Sequence, residues 1–399
     1  MISIDNINYC EFCFEQMSVN DHFCTKCGSR YDQHRYPGTL PTGTLLKRRY
    51  IVGRVLGKGG FGITYLCFDA ESKKRVAIKE YFPDGFVYRD NGTTAVQIKQ
   101  SPDIFNKGAE KFYNEAKLLY NFNNIPNIVK IEKFFAENNT KYFVMEYLVG
   151  SDLKDYFKSV PHPDENLVIY IAIEVLKSLR ILHAKNVLHR DIAPDNIFMC
   201  DDGTIKLIDF GAARVTSLTE VSSSFSVILK PGFAPFEQYQ SKGKQGPWTD
   251  IYALGATMYY LIKKVRPQEA VVRREEDTLD MTGFSPQLRA ILSKMMAVRI
   301  DERYNSADEV IADLTQTQRG GNNEKNPSPV NDIDTNNPST QTIDTFWKNH
   351  STQTIPKGEP SPKKENDQDS NKKLTIILLC IVSVLCYLVL FSLMFILFG

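Results

Sequence analysis

Tyr50-Ile51-Val52-Gly53-Arg54-Val55-Leu56-Gly57-Lys58-Gly59-Gly60-Phe61-Gly62-Ile63-Thr64-Tyr65-Leu66 decides how this chain is read. Residues 50 to 56 carry the apolar, β-branched character of a strand, and the pattern resumes at Thr64-Tyr65-Leu66. Between them the glycines of Gly57-x-Gly59-x-x-Gly62 let backbone N–H groups approach phosphates closely. A glycine loop of this kind also opens the helix of dinucleotide-binding folds. Here no helical pattern follows it. A second strand does, and then a third, Arg75-Val76-Ala77-Ile78-Lys79, which ends on a lysine.

Further motifs follow in order. Phe112 to Leu119 reads as an amphipathic helix bearing Glu115, and Pro126-Asn127-Ile128-Val129 comes after it. Lys141 to Leu148 reads as a buried strand running into a hinge, and Leu167 to His183 as a helix. Asp191-Ile192-Ala193-Pro194-Asp195-Asn196 follows His189-Arg190. The turn Asp201-Asp202-Gly203 leads through Ile205-Lys206-Leu207-Ile208 to Asp209-Phe210-Gly211. This arrangement resembles the eukaryotic-like (Hanks-type) serine/threonine protein kinases, most closely their bacterial branch, over residues 45 to 316.

The resemblance implies an α+β, two-lobed fold, with a β-rich small lobe, a helical large lobe, and ATP in the cleft between them. It places Leu56, Gly57, Lys58, Gly59, Gly60, Phe61, Gly62, Thr64 and Ala77 around the nucleotide, with Met145 behind the adenine and the backbone of Glu146 and Leu148 on its edge. Lys79, paired with Glu115, would hold the α- and β-phosphates. Asp191 would accept or orient the substrate hydroxyl's proton, and Asn196 and Asp209 would bind Mg²⁺. Asp250 would brace the catalytic loop, and Glu237 would pair with Arg303. The hydroxyl-rich loop Thr216, Ser217, Thr219, Ser222, Ser223, Ser224, Ser226 would be phosphorylated and received by Arg190.

Four departures stand out. The connection from residue 80 to 108 is unusually long. Thr64 replaces a common valine. Ala193 replaces the lysine that usually follows the catalytic aspartate by two residues, and Asp195 stands where the tyrosine-kinase variant carries arginine. Lys230 occupies a position that is usually threonine, so it is expected to supply, as a catalytic residue, the charge that Ala193 lacks.

Outside this stretch, Cys10-x-x-Cys13 and Cys24-x-x-Cys27 form two knuckles able to close a tetrahedron of thiolates around Zn²⁺. They resemble a zinc ribbon. Residues 1–36 are assigned to this module and its connector, 45–316 to the kinase domain, 317–371 to a polar, disordered linker, and 372–399 to a transmembrane tail anchor. The uncharged apolar run Leu374 to Phe398 exceeds, as a helix, the hydrocarbon core of about 30 Å. Lys372 and Lys373 just before it would keep everything N-terminal to them in the cytoplasm. No signal peptide is read at the N-terminus. Ser-Thr-Gln-Thr-Ile occurs at 339–343 and again at 351–355, so Thr342 and Thr354 are candidate self-phosphorylation sites for a phosphothreonine-binding partner.

Composition sets the outer bounds. The chain has 399 residues, 42% hydrophobic, with a net charge of +1, which excludes whole-chain disorder and a small disulfide scaffold and gives no overall field toward nucleic acid. No nucleic-acid partner is expected. The expected activity is transfer of the ATP γ-phosphate to Ser/Thr of cytoplasmic proteins from the membrane. The rival readings are a pseudokinase scaffold, supported by Ala193, and an adaptor whose working part is the zinc ribbon.

Overall fold

The computed structural model describes residues 7–18, 22–29, 36–99, 101–210, 214–215 and 229–320. The hydroxyl-rich loop at 216–226, Thr342, Thr354 and the apolar tail lie outside them. Among the described residues no helix is long and apolar enough to cross a membrane.

The elements are β1 (Ile7–Tyr9), β2 (Gln16–Ser18), β3 (Leu45–Leu46), β4 (Tyr50–Gly59), β5 (Gly62–Asp69), β6 (Lys74–Tyr81), β7 (Val87–Tyr88), β8 (Gln97–Ile98), α1 (Pro102–Tyr120), β9 (Ile131–Glu137) and β10 (Thr140–Glu146). They are followed by β11 (Gly150–Asp152), α2 (Leu153–Lys158), α3 (Glu165–Ala184), β12 (Val187–Leu188), β13 (Ile197–Cys200), β14 (Ile205–Leu207), β15 (Arg214–Val215), α4 (Phe236–Tyr239), α5 (Pro247–Lys263), α6 (Ala270–Arg273), α7 (Pro286–Met295) and α8 (Ala307–Gly320).

The small lobe is a six-stranded sheet in the order β3-β4-β5-β6-β10-β9. The β4–β6 pairings are antiparallel, so the glycine loop is the turn of a hairpin whose last pair is Gly59 with Gly62. Gly62 has a steric reason to be glycine: a Cβ there would sit 2.4 Å from the Glu80 carbonyl oxygen. Helix α1 crosses this sheet through an aromatic layer, with Phe112 on Phe143 at 4.9 Å and Tyr81 between Phe105 at 5.2 Å and Phe112 at 5.5 Å. In the large lobe α5 is apolar on nearly every side and buried along most of its length, as a central helix must be, while α3 buries one broad apolar face.

The long connection after Lys79 has a definite structure. Residues 87–98 form the β7–β8 hairpin, and α1 starts at Pro102, a favoured first-turn residue, well before the Phe112 expected from sequence. Arg89 of this hairpin forms a fully buried ion pair with Glu80 of β6. The Glu80 carboxylate also accepts from Tyr65 at 2.8 Å and Tyr142 at 2.6 Å, and the Tyr65 hydroxyl accepts from the Leu40 N–H at 3.1 Å. Glu80, Arg89, Tyr65 and Tyr142 therefore satisfy one another out of water, the condition on which buried charge is tolerated. The network ties the insertion and the connector before β3 to the centre of the sheet.

Removing one member leaves a charge stranded. Arg89→Met is expected to destabilise the protein by about 3–5 kcal/mol, read as the shift in urea midpoint, whereas the exposed Lys158→Met is expected to leave it nearly unchanged.

Candidate active site

Lys79 stands on β6 opposite Thr64 of β5 and Phe143 of β10, so the pleat aims its side chain at the underside of the glycine loop. Gly57 and Gly59 have open space where a Cβ would stand, consistent with a cradle. The tip of that loop is tied down. The Phe82 N–H donates to the Phe61 carbonyl at 3.1 Å and the Asp84 N–H to the Gly60 carbonyl at 2.9 Å. Sequence reading did not foresee this role for Phe82 and Asp84; their position directly after the lysine-bearing strand is the one signal that could have found it. Ala77 is buried opposite Met145, and Leu56 is exposed on the hairpin beyond Thr64. Glu146 at the hinge is pinned through its side chain, which accepts from Lys206 Nζ at 2.6 Å and from the Lys130 N–H at 2.9 Å, and it leads on to the half-buried Leu148.

From the large lobe, β14 delivers Asp209. Its register is fixed from the small-lobe side, where the Leu207 N–H donates to the Asn127 carbonyl and the Val129 N–H to the Leu207 carbonyl. Asp209 has φ 57°, a left-handed conformation that aspartate tolerates better than most residues, and Phe210 beside it is fully buried against His189 at 4.4 Å. Asp209 Oδ1 lies 2.6 Å from Lys79 Nζ.

The catalytic loop hangs on Asp250 of α5. This buried carboxylate accepts from the N–H groups of His189 at 3.0 Å and Arg190 at 2.7 Å, and its Oδ2 lies 2.8 Å from His183 Nε2. Burial pushes its pKa up, but these contacts prevail and hold it below the usual carboxylate range. The His183 contact was not anticipated. Asn196 Nδ2 donates to Asp191 Oδ2 and to the Asp191 carbonyl, both at 2.7 Å, which leaves its own amide oxygen as the acceptor suited to a hard cation. Burial pushes the Asp191 carboxyl up to about 6 against the opposing pull of Lys230. Lys230 Nζ lies 2.7 Å from Asp195 Oδ1 and 3.3 Å from Asp191 Oδ2. The expected Glu237–Arg303 pair is present and buried at 2.8 Å.

One expected contact is not made. Among the described residues no hydrogen bond or ion pair joins Lys79 to Glu115. The Lys79 ammonium is taken by Asp209, and Glu115 Oε1 is buried without a hydrogen-bond partner. Burial therefore pushes the Glu115 carboxyl up to about 7, with Lys79 acting on it only through space.

The four cysteines of the N-terminal module also converge. Their sulfurs lie within 4.8 Å of one another, with Cys10–Cys27 at 3.6 Å and Cys13–Cys24 at 3.4 Å. Tetrahedral bonds of about 2.3 Å to zinc would require sulfur separations of about 3.8 Å, so the donor set and spacing fit that ion.

Residues 50–318 match the family model for the protein kinase domain. The chain is 32% identical over 283 residues to serine/threonine-protein kinase PknA of Nostoc sp., an alignment covering 68% of this chain and 47% of that one. It is 29% identical over 348 residues to serine/threonine-protein kinase D of Synechocystis sp., covering 82% and 64% respectively. Among solved structures it is similar to the apo form of PpkA-294, with a TM-score of 0.61 and 31% identity, over 69% of this chain and 99% of that one. The chain spans about half the length of curated relatives it matches.

The raised Glu115 pKa gives a measurable pH dependence. Between the ordinary value of 4.5 and about 7 the folded protein holds a proton that the unfolded chain has released, so stability falls as pH rises through that window. Glu115→Gln is expected to unfold at higher urea than wild type at pH 8, by up to about 3 kcal/mol, and the difference is expected to vanish toward pH 4.5.

Proposed function

Since the chain belongs to the protein kinase family, we propose that it transfers the γ-phosphate of ATP to serine or threonine hydroxyls of protein substrates. The observation that carries this reading is the placement of Lys79 against Asp209 and of Asn196 against Asp191, the two pairs tied by the backbone bond from the Ile208 N–H to the Asn196 carbonyl at 3.0 Å. A pseudokinase reading rests on Ala193 alone and is not favoured.

Each residue has a task that its surroundings support. Lys79 binds the α- and β-phosphates and is held beside Asp209 in the meantime. Asp209 and Asn196 present hard oxygen ligands for Mg²⁺, which when bound neutralises charge developing on the phosphates. Asp191 orients the incoming hydroxyl and takes its proton. Its raised pKa makes it a better proton acceptor than an ordinary aspartate while leaving it ionised at neutral pH. Glu115 draws Lys79 toward the small lobe once the lysine is freed from Asp209.

Lys230 takes over the γ-phosphate contact that Ala193 cannot make. Ala193 is buried and offers no charge, whereas the ammonium of Lys230 stands beside both acids of the loop. A single charge contact of this kind, aimed where the transition state gains charge, contributes about 2–4 kcal/mol.

The four-cysteine module is a closed structural zinc site of the ribbon type, supported by its four thiols and their spacing. The apolar run from Leu374 to Phe398 anchors the chain in the cytoplasmic membrane, with Lys372 and Lys373 on the kinase side. Phosphorylation of Thr342 and Thr354 would recruit a phosphothreonine reader to the linker.

Purified full-length protein with ATP and Mg²⁺ is expected to phosphorylate itself, and Asp191→Asn to lose this almost completely. Lys230→Thr is expected to lower turnover about 100-fold. Because the cation holds the Asp191 pKa down, the acid limb of its pH–rate profile, near 6 in wild type, should move to higher pH. Unchanged turnover in that variant excludes the role. Deleting residues 372–399 is expected to move the protein from the membrane pellet to the supernatant.

A further inference from the structure

The two cysteine knuckles share one backbone design and differ at one position. In each, the first cysteine's carbonyl accepts the N–H of the residue after the second cysteine: Phe14 to Cys10 at 2.9 Å and Gly28 to Cys24 at 2.8 Å. In each, the first cysteine's N–H also donates one residue further on, to Glu15 and to Ser29 at 2.9 Å. The fifth position requires a left-handed backbone. Gly28 takes it with φ 72°, as glycine does at no steric cost, but Phe14 takes it with φ 62°. A bulky residue there is strained by about 1–2 kcal/mol, and such strain persists only where the surroundings over-determine it.

The surroundings are the strands of the nucleotide cradle. The Phe14 ring stacks on Phe68 of β5 at 5.6 Å and is almost wholly buried. It also covers Gly53 of β4: a Cβ at that glycine would lie 2.7 Å from the ring and 2.7 Å from the Glu11 carbonyl oxygen. Gly53 and Arg54 sit where the β4–β5 register shifts, and the Arg54 N–H there donates to the Glu11 carbonyl at 3.1 Å. The Arg54 guanidinium lies over the Phe12 ring at 4.8 Å. Glu11 and Phe12 lie between the cysteines of the first knuckle. The turn that holds the metal is therefore the surface that buttresses β4, three residues before Gly57.

We propose that the first knuckle is a positioning element of the kinase, in which Phe14 converts metal occupancy into nucleotide affinity. Cys10 and Cys13 fix the turn when bound to zinc. The fixed turn presses Phe14, Glu11 and Phe12 onto the bulge of β4, and this holds the glycine loop at the height that fits the phosphates. Release of the metal frees the turn, and the strained Phe14 backbone then favours leaving. This rests on the zinc reading given above.

The test uses full-length protein and reads bound zinc per chain, the Kd for Mg·ADP by calorimetry, and amide exchange over residues 53–62. Stripping zinc with a chelator is expected to weaken Mg·ADP binding by about fivefold or more, to speed exchange in that segment, and to reverse on adding zinc. Phe14→Gly suits the left-handed position, so it should keep its zinc, bind Mg·ADP as weakly as stripped wild type, and be indifferent to the chelator. Gly53→Ala disturbs the same contact from the kinase side and should behave alike. Equal Kd values for loaded wild type, stripped wild type and both variants overturn the coupling while leaving the zinc site standing. Wild type that takes up no zinc removes the zinc reading and the coupling with it.

Discussion

Lys79 and Asp209 lie 130 residues apart in sequence and 2.6 Å apart in space, and the cleft is organised by that contact. It puts an ammonium from the β-rich lobe against a carboxylate from the helical lobe, at the point where the proposed reaction would handle phosphates. Each partner is delivered by buried structure. Lys79 rides on a central strand, and Asp209 follows a strand whose register is held by Asn127 and Val129 across the lobe boundary. Neither backbone position can drift far without breaking main-chain hydrogen bonds. The same contact explains Glu115. While the ammonium is engaged by Asp209, the helix carboxyl is left buried without a hydrogen-bond partner at Oε1, and desolvation makes protonation its cheapest response.

Charge balance in the catalytic loop follows related logic. Three acids, Asp191, Asp195 and Asp209, face two lysines, Lys79 and Lys230. Had Ala193 been lysine, a cation would have come from within the loop itself. Here it arrives from residue 230, at the end of the segment that leads toward the Glu237–Arg303 anchor. A cation contributed by a different segment is movable in a way that a loop-borne one is not. Its engagement with the two loop acids depends on how residues 229–237 are seated, and the buried anchor limits that freedom from one side.

The motifs that chemistry pins to fixed spacings were legible in the sequence. The glycine loop, Lys79, the Asp191–Asn196 loop, Asp209, the brace from Asp250 and the Glu237–Arg303 pair all lie where their order implied. The four cysteines converge as two C-x-x-C pairs should. What could not be read were contacts between segments whose local patterns are bland. Residues 80–108 look like an insertion, because nothing in Arg89 reveals that it will enter the core to meet Glu80; that depends on Tyr65, Tyr142 and the Leu40 backbone meeting in three dimensions. The Lys79–Glu115 contact failed for the complementary reason. The residues stand where the motif puts them, but a competing carboxylate closer to the ammonium takes it.

Phe14 shows what a sequence pattern conceals when one residue serves two geometries. Read as part of a metal knuckle, it is an unfavourable choice, since the matching position in the second knuckle is glycine with the same hand of backbone. Read as part of the sheet, it is an aromatic stacked on Phe68 over a glycine with no room for a Cβ. The two readings exclude each other unless the knuckle and the sheet fold as one unit. Strain at Phe14 is tolerated because burying its ring against the strands, worth about 1.5–3 kcal/mol, offsets a backbone cost of similar size, and with the two so nearly balanced the fixing of the turn decides which prevails. Gly53 makes the complementary concession on the kinase side, giving up side-chain packing inside a strand so that another segment can approach. Paired concessions of this kind, one on each side of a contact, are the physical signature of an interface built into the fold, and here that interface lies on the strand that carries the glycine loop.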